Sequence, residues 1–306
     1  MLHPSAVCTN IPGASGNGKF FSAKMLKATA DILADMVHKA DHDRYLTAVT
    51  APESAQPAIM TLYAFNAEVA KVRESVSEVL IGQMKLQWWR DLIAAIYENG
   101  QVPKGNPVVE ALTEVIPAHQ LSRAHFDALL DARARDMSDE SPADVEALES
   151  YAEGTSASLT ALVLEALGVR DAASHSAGRH VGISWALTGM LRAVLFHARA
   201  NRFLLPQDML AAENLSPHDL QESRNAQRVA AVVERIAALA RAHLDKARDL
   251  RSTIDRRALP ALLPATLADG YLKALARQNF DVFDPRHALQ RPAALKLMWN
   301  AWRGRY

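Results

Sequence analysis

The side chains in this sequence that could do chemistry are two arginines, a histidine and a thin scatter of acids. Arg192 and Arg202 carry guanidinium forks that match phosphate oxygens, and the same forks serve internal ion pairs in helical proteins, so both uses fit them. His197 could ligate a transition metal together with Glu74. Stable sites take three or four protein ligands, however, so packing is the plainer role for one histidine with one carboxylate partner. Glu74 with Glu68 and Asp91 could form a reduced oxygen-donor site, or these acids are simply the solvated charges of a helix face. Trp88-Trp89-Arg90-Asp91 reads as a pair of core aromatics of which only one ring can face fully inward. Near residue 306, Leu295, Met298, Trp299 and Trp302 stand beside Lys296, Arg303 and Arg305. This basic amphipathic pattern suits a membrane surface, a partner groove or a last helix packed on its own bundle.

Helices must position these groups. Ile59, Leu62, Phe65, Val69, Val72 and Val76 recur three or four residues apart, which predicts one helix over residues 58–76. The same spacing predicts helices over 25–37, 84–97, 108–116, 124–137, 148–167, 177–200 and 226–250, with shorter ones over 267–277 and 292–302. The breaks between them carry Asn-Gly, Asn-Pro and Leu-Pro turn chemistry, and none is long enough for a domain linker. Asp43-Arg44-Tyr45 reads as a cap and packing element ahead of the first long helix. The expectation is an all-α, single-domain bundle of about ten helices.

Composition agrees. With 306 residues, 49% of them hydrophobic, the chain can bury a large core, and 13 glycines among alanine, leucine, arginine and glutamate favour helix over strand. Lys+Arg and Asp+Glu are both 34, so no global basic field exists to hold nucleic acid, and none is expected as a partner. The single cysteine, Cys8, gives neither a disulfide framework nor a cysteine metal site. No apolar run approaches the roughly 20 residues that span a bilayer. Residues 1–30 hold lysines but neither acids nor arginine, which leaves a targeting peptide as one reading; the expectation is a disordered leader over 1–22 and a helical domain over 23–306.

Two stretches, Leu62-Tyr63-Ala64-Phe65-Asn66 and Leu187-Thr188-Gly189-Met190-Leu191-Arg192 leading to Arg202-Phe203-Leu204-Leu205-Pro206, resemble the signature helices of the squalene and phytoene synthases. The resemblance continues through Gln87-Trp88-Trp89-Arg90-Asp91, Tyr151-Ala152-Glu153 and Asn279-Phe280-Asp281-Val282-Phe283-Asp284, and covers residues 43–306. It implies the isoprenoid synthase fold, with helices around a central cavity. In that family each signature helix carries two aspartates four residues apart, which hold the magnesium ions that neutralise a departing diphosphate. Here the first pair falls on Ala70 and Glu74 and the second on Ala193 and His197, so three of the four aspartates have no carboxylate counterpart. Other family positions have changed too, to Ala67, Ala186, Gly189 and Leu204. Tyr63, Asn66, Asp136, Arg192 and Arg202 remain as candidates to line the cavity or bind an anion.

Phe65-Asn66-Ala67-Glu68-Val69, Ser75-Val76-Ser77-Glu78 and the terminal Trp302-Arg303-Gly304-Arg305-Tyr306 are similar to a subgroup of the family, the assembly factor 6 proteins of respiratory complex I, which also lack the aspartate motifs. That resemblance implies an accessory role exercised by binding complex I subunits or assembly intermediates. The place would be the cytoplasmic side of the inner membrane in a bacterium, or the matrix side in a mitochondrion, with peripheral contact through the C-terminal segment. No cofactor is expected. The alternatives are an active head-to-head prenyltransferase on farnesyl or geranylgeranyl diphosphate, for which magnesium would be needed, and a carrier of an isoprenoid or other lipid.

Overall fold

The computed structural model describes residues 17–138, 140–288 and 293–306. Cys8 and residues 1–16 of the expected leader lie outside the described residues. Among the described residues the regular elements are helices. The first half holds α1 (Asn17–Ala40), α2 (His42–Ala48), α3 (Gln56–Ala70), α4 (Val79–Tyr97), α5 (Pro107–His119), α6 (Arg123–Ala134), α7 (Val145–Ala152) and α8 (Ser158–Ala166). The second half holds α9 (Ala172–Arg192), α10 (Val194–Arg199), α11 (Gln207–Ala212), α12 (Ala226–Asp249), α13 (Leu259–Leu262), α14 (Pro264–Arg277), α15 (Pro285–Ala288) and α16 (Ala294–Trp302). Several are single turns, and the long ones match the expected bundle of about ten.

Helix α9 is the axis of the bundle: α12 runs along it, and α7, α8 and α14 pack on its other sides. Its sequence suits that place, because Gly178, Gly182 and small residues at helical spacing let neighbouring backbones come close. The core between α3, α4 and α6 is aromatic. Phe65 stands edge-on to Trp89 at 5.2 Å and to Phe126 at 5.4 Å, geometries that favour aromatic pairs. Of the tryptophan pair, Trp89 is 3% exposed and Trp88 is 41% exposed, as helical geometry requires of adjacent residues.

Three predicted helices are interrupted, each beside the same place. The helix expected over 58–76 stops at Ala70; after it, Ser75 donates its hydroxyl to the Val72 carbonyl within a 3-10 turn, Arg73–Ser75, a local bond that competes with helix continuation. The helix expected over 177–200 breaks at Ala193, whose φ of −109° and ψ of 9° leave the helical region between α9 and α10. The helix expected over 148–167 carries a π turn, Glu153–Ala157, between α7 and α8, a device that widens a helix locally and often marks a functional site.

Candidate functional site

The three interruptions surround a cavity of about 330 Å³ lined by residues of α3, α9 and α10, the two turns and the start of α2. Ala70, Glu74 and His197, three of the four motif positions, are on its wall, together with Asn66, Arg192 and Arg202. Ala193 is not on the wall; it caps the end of α9. Because α3 ends at Ala70 and α9 ends at Arg192, neither motif pair sits on one continuous helix face. Glu68 and Asp91 are not brought to the cavity, and the Asp91 carboxylate accepts from Gln87 Nε2 at 2.7 Å instead.

Every cavity arginine faces an acid. Arg202, buried to 12% side-chain exposure, lies 3.6 Å from Glu74 Oε1 and 3.5 Å from Asp136 Oδ1. Asp136 also accepts from the Tyr151 hydroxyl at 2.7 Å and from Arg133 Nη1 at 3.2 Å, and Arg133 donates to Tyr151 at 2.9 Å. Burial pushes the Tyr151 hydroxyl up, so it stays a donor at neutral pH. On the other wall Arg192 Nη1 donates to Asp43 Oδ2 at 3.0 Å and stacks over the Tyr271 ring at 3.7 Å, while the Tyr271 hydroxyl donates to the same carboxylate at 2.9 Å. Arg44 donates to Asp41 Oδ2 at 2.9 Å and to Ser156 Oγ at 3.0 Å. Both uses of Arg192 and Arg202 fitted the sequence, and the structure pairs both internally. Tyr63 is buried beneath the wall, its ring 5.8 Å from the Arg44 guanidinium.

Sequence reasoning missed most partners in this network. The sequence suggests Asp43 as part of a cap; the cap of α2 is instead Asp41, which accepts from Arg44 N, and Asp43 is a buried ion-pair acceptor. Arg133 and Tyr271 carried no signal, because each sits in an ordinary helical pattern and meets its partner only across the fold.

His197 Nδ1 is buried without a hydrogen-bond partner. Burial, helped by Arg202, lowers its pKa to about 4, so the ring is neutral at pH 7. His180 is lowered likewise to about 4 by burial and by His243, whose Nδ1 lies 2.9 Å from its own Nδ1. A histidine depressed in the folded state contributes stability that is whole above the unfolded value of about 6.5 and is lost as pH falls from there to 4. Unfolding midpoints in urea should therefore be flat above pH 7 and decline between pH 6.5 and pH 4. His197→Gln should flatten that decline; an unchanged slope would refute the assignment.

A magnesium cluster does not fit this donor set. The motif positions offer two methyl groups, an imidazole and one carboxylate, and that carboxylate already faces the Arg202 guanidinium. Among the described residues no group of three or more histidine, cysteine, aspartate or glutamate side chains is placed to hold a metal ion.

Comparison with known proteins accounts for the scaffold. The family model for squalene/phytoene synthase matches residues 37–295. The chain belongs to the squalene/phytoene synthase family. Within reach of this family, the mouse protein named NADH dehydrogenase (ubiquinone) complex I, assembly factor 6 is 32% identical over 306 residues, covering 99% of this chain and 89% of that protein. Its human counterpart is 30% identical over 306 residues, with the same coverage of 99% and 89%. A presqualene diphosphate synthase of Rhodopseudomonas palustris is 26% identical over 169 residues, 55% of this chain and 59% of that one. Among solved structures, a dehydrosqualene synthase in complex with ligand superposes with a TM-score of 0.79 at 19% identity, covering 92% of this chain and 97% of that chain. The squalene synthase HpnC from Alicyclobacillus acidocaldarius superposes at 0.73 with 17% identity, covering 84% and 96%. The squalene/phytoene synthase fold is thus present along the chain, as the signature stretches implied.

Proposed function

We propose that this member of the squalene/phytoene synthase family is catalytically silent and acts by binding, as an accessory factor in the assembly of respiratory complex I. One observation carries the reading: of the four motif positions only Glu74 keeps a carboxylate, while Ala70, Ala193 and His197 supply no oxygen ligand for a divalent cation. Losing one positioned charge-stabilising group commonly costs about two to three decades in rate, and here three are absent.

The identity to proteins named for complex I assembly supports the choice of partner, which would be a complex I subunit or assembly intermediate. Among the described residues no helix is long and apolar enough to cross a membrane, so the meeting place proposed is the surface of the inner membrane, on the cytoplasmic side in a bacterium or the matrix side in a mitochondrion.

The test has two arms. Purified protein is incubated with farnesyl and geranylgeranyl diphosphates and magnesium, with and without NADPH, beside a working synthase. No C30 or C40 product is expected, and magnesium should leave the melting temperature unchanged. A deletion strain should lose assembled complex I on native gels and NADH:ubiquinone activity in its membranes. Product above a boiled control would overturn the silent reading, and normal complex I would overturn the assembly reading.

A further inference from the structure

Twelve large apolar side chains are exposed among the described residues, and nine of them sit on two helices, α4 and α16. Helix α16 differs from α4 in its surroundings. Leu295 is 85% exposed, Met298 65%, Trp299 54% and Trp302 77%. Their spacing of three, one and three residues places them on one stripe of the helix. The opposite side of α16 is bound to the bundle: Leu297 is buried, and Asn300 Nδ2 donates to Thr266 Oγ1 at 2.9 Å. Beyond the helix the chain is anchored by the Tyr306 hydroxyl, which donates to the Ala247 carbonyl at 2.8 Å. The stripe is therefore held outward by a docked helix and is not the frayed end of a loose one.

Charge distinguishes what it can meet. Asp284 is the last acidic residue of the sequence, and the 22 residues after it hold Arg286, Arg291, Lys296, Arg303 and Arg305. A chain whose total charge is zero thus places a run of cations without acids beside its most exposed tryptophans, and of these Arg286 is paired with Asp284 at 2.6 Å. Arg303 sits over the Trp299 ring at 5.6 Å, with the cation at the edge of the apolar stripe. Lys296, on the same flank, is tied to Asp269 at 3.1 Å. Tryptophan rings favour the headgroup zone of a bilayer, and cations beside an apolar stripe favour phosphates. Each basic residue near an anionic surface adds on the order of 1 kcal/mol, and the effect decays within a Debye length.

We propose that α16 is an interfacial docking helix that lies flat on a bilayer of anionic phospholipid, with Leu295, Met298, Trp299 and Trp302 among the acyl boundary and Arg303 and Arg305 on the phosphates. The helix is too short to span, so binding is reversible and falls with salt. The inference does not depend on the assembly reading, since it stands on the exposed stripe and its charge alone.

The test uses the full chain with sedimented vesicles of phosphatidylcholine, pure or mixed with phosphatidylglycerol. The protein should bind the mixed vesicles, with a blue shift in tryptophan emission, and release as salt is raised. The double variant Trp299→Ala/Trp302→Ala should bind at least about tenfold more weakly, a loss of about 1.4 kcal/mol. Its far-ultraviolet circular dichroism and melting curve should match those of the parent, because both rings are exposed. Absence of binding to mixed vesicles, equal binding to pure phosphatidylcholine, or undiminished binding by the variant each overturns the proposal. Light scattering on the same samples covers the other occupant: a dimer that the variant abolishes, without vesicle binding, would assign the stripe to a second copy of the chain.

Discussion

Asp136→Asn should destabilise the protein by about 3–5 kcal/mol, the largest loss expected from any single polar substitution. The side chain keeps its size and loses only its charge. Asp136 is 7% exposed and is the common acceptor of Arg133, Arg202 and Tyr151, joining α6, α7 and the loop after α10. Without the carboxylate, two guanidinium groups with side-chain exposures of 18% and 12% remain with a neutral amide between them. The amide also turns donors toward donors, since a carboxylate accepts on both oxygens and an amide on one. Glu74→Gln is the matched control. It removes a partner of the same Arg202, but the Glu74 side chain is 49% exposed, so water compensates and the loss should stay below about 1 kcal/mol. Urea unfolding of both variants at pH 7.5 decides the matter. An Asp136→Asn loss no greater than that of Glu74→Gln would mean that the buried network contributes nothing beyond a surface pair.

The contrast between those two acids also marks how far the sequence could be read. Helical periodicity located nearly every long element, because each buries one apolar stripe and the stripe is visible as spacing. It could not locate the interruptions. Ala193 and Ser75 are ordinary residues in ordinary patterns, and the breaks at them come from local hydrogen bonding and tertiary fit that outweigh weak propensity differences. The motif positions were legible from the family pattern, and Ala70, Glu74 and His197 do meet at one cavity. Their partners were not, since ion pairs such as Arg192 with Asp43 join residues 149 positions apart and nothing in composition or spacing links them. For that reason the sequence fits Arg192 and Arg202 equally to an anion site and to an internal pair, and only geometry distinguishes the two.

Gly182→Ala should destabilise the protein by about 2–3 kcal/mol, against the usual sign for a helix interior, where alanine is favoured over glycine by roughly 0.5–1 kcal/mol. A Cβ built on Gly182 would stand 2.4 Å from Ala157 Cα, 2.7 Å from Ala157 N and 2.9 Å from the Ser156 carbonyl oxygen. All three are backbone atoms, so no rotamer change relieves the contact, and α9 must move away from the π turn. That turn holds Ser156, whose hydroxyl receives Arg44 on the cavity wall, so the displacement should reach the site as well as the core. Gly189→Ala, seven residues on in the same helix, is the counter-test: a Cβ there meets nothing within 4 Å. It should stabilise by about 0.5–1 kcal/mol, as propensity alone dictates, while narrowing the cavity that Gly189 lines. Opposite signs from two glycines of one helix, read by thermal and urea unfolding, would establish that the close approach of α9 to the π turn is a packing requirement. A neutral Gly182→Ala would show that this turn yields at little cost, and the cavity wall built on it would then be a soft one.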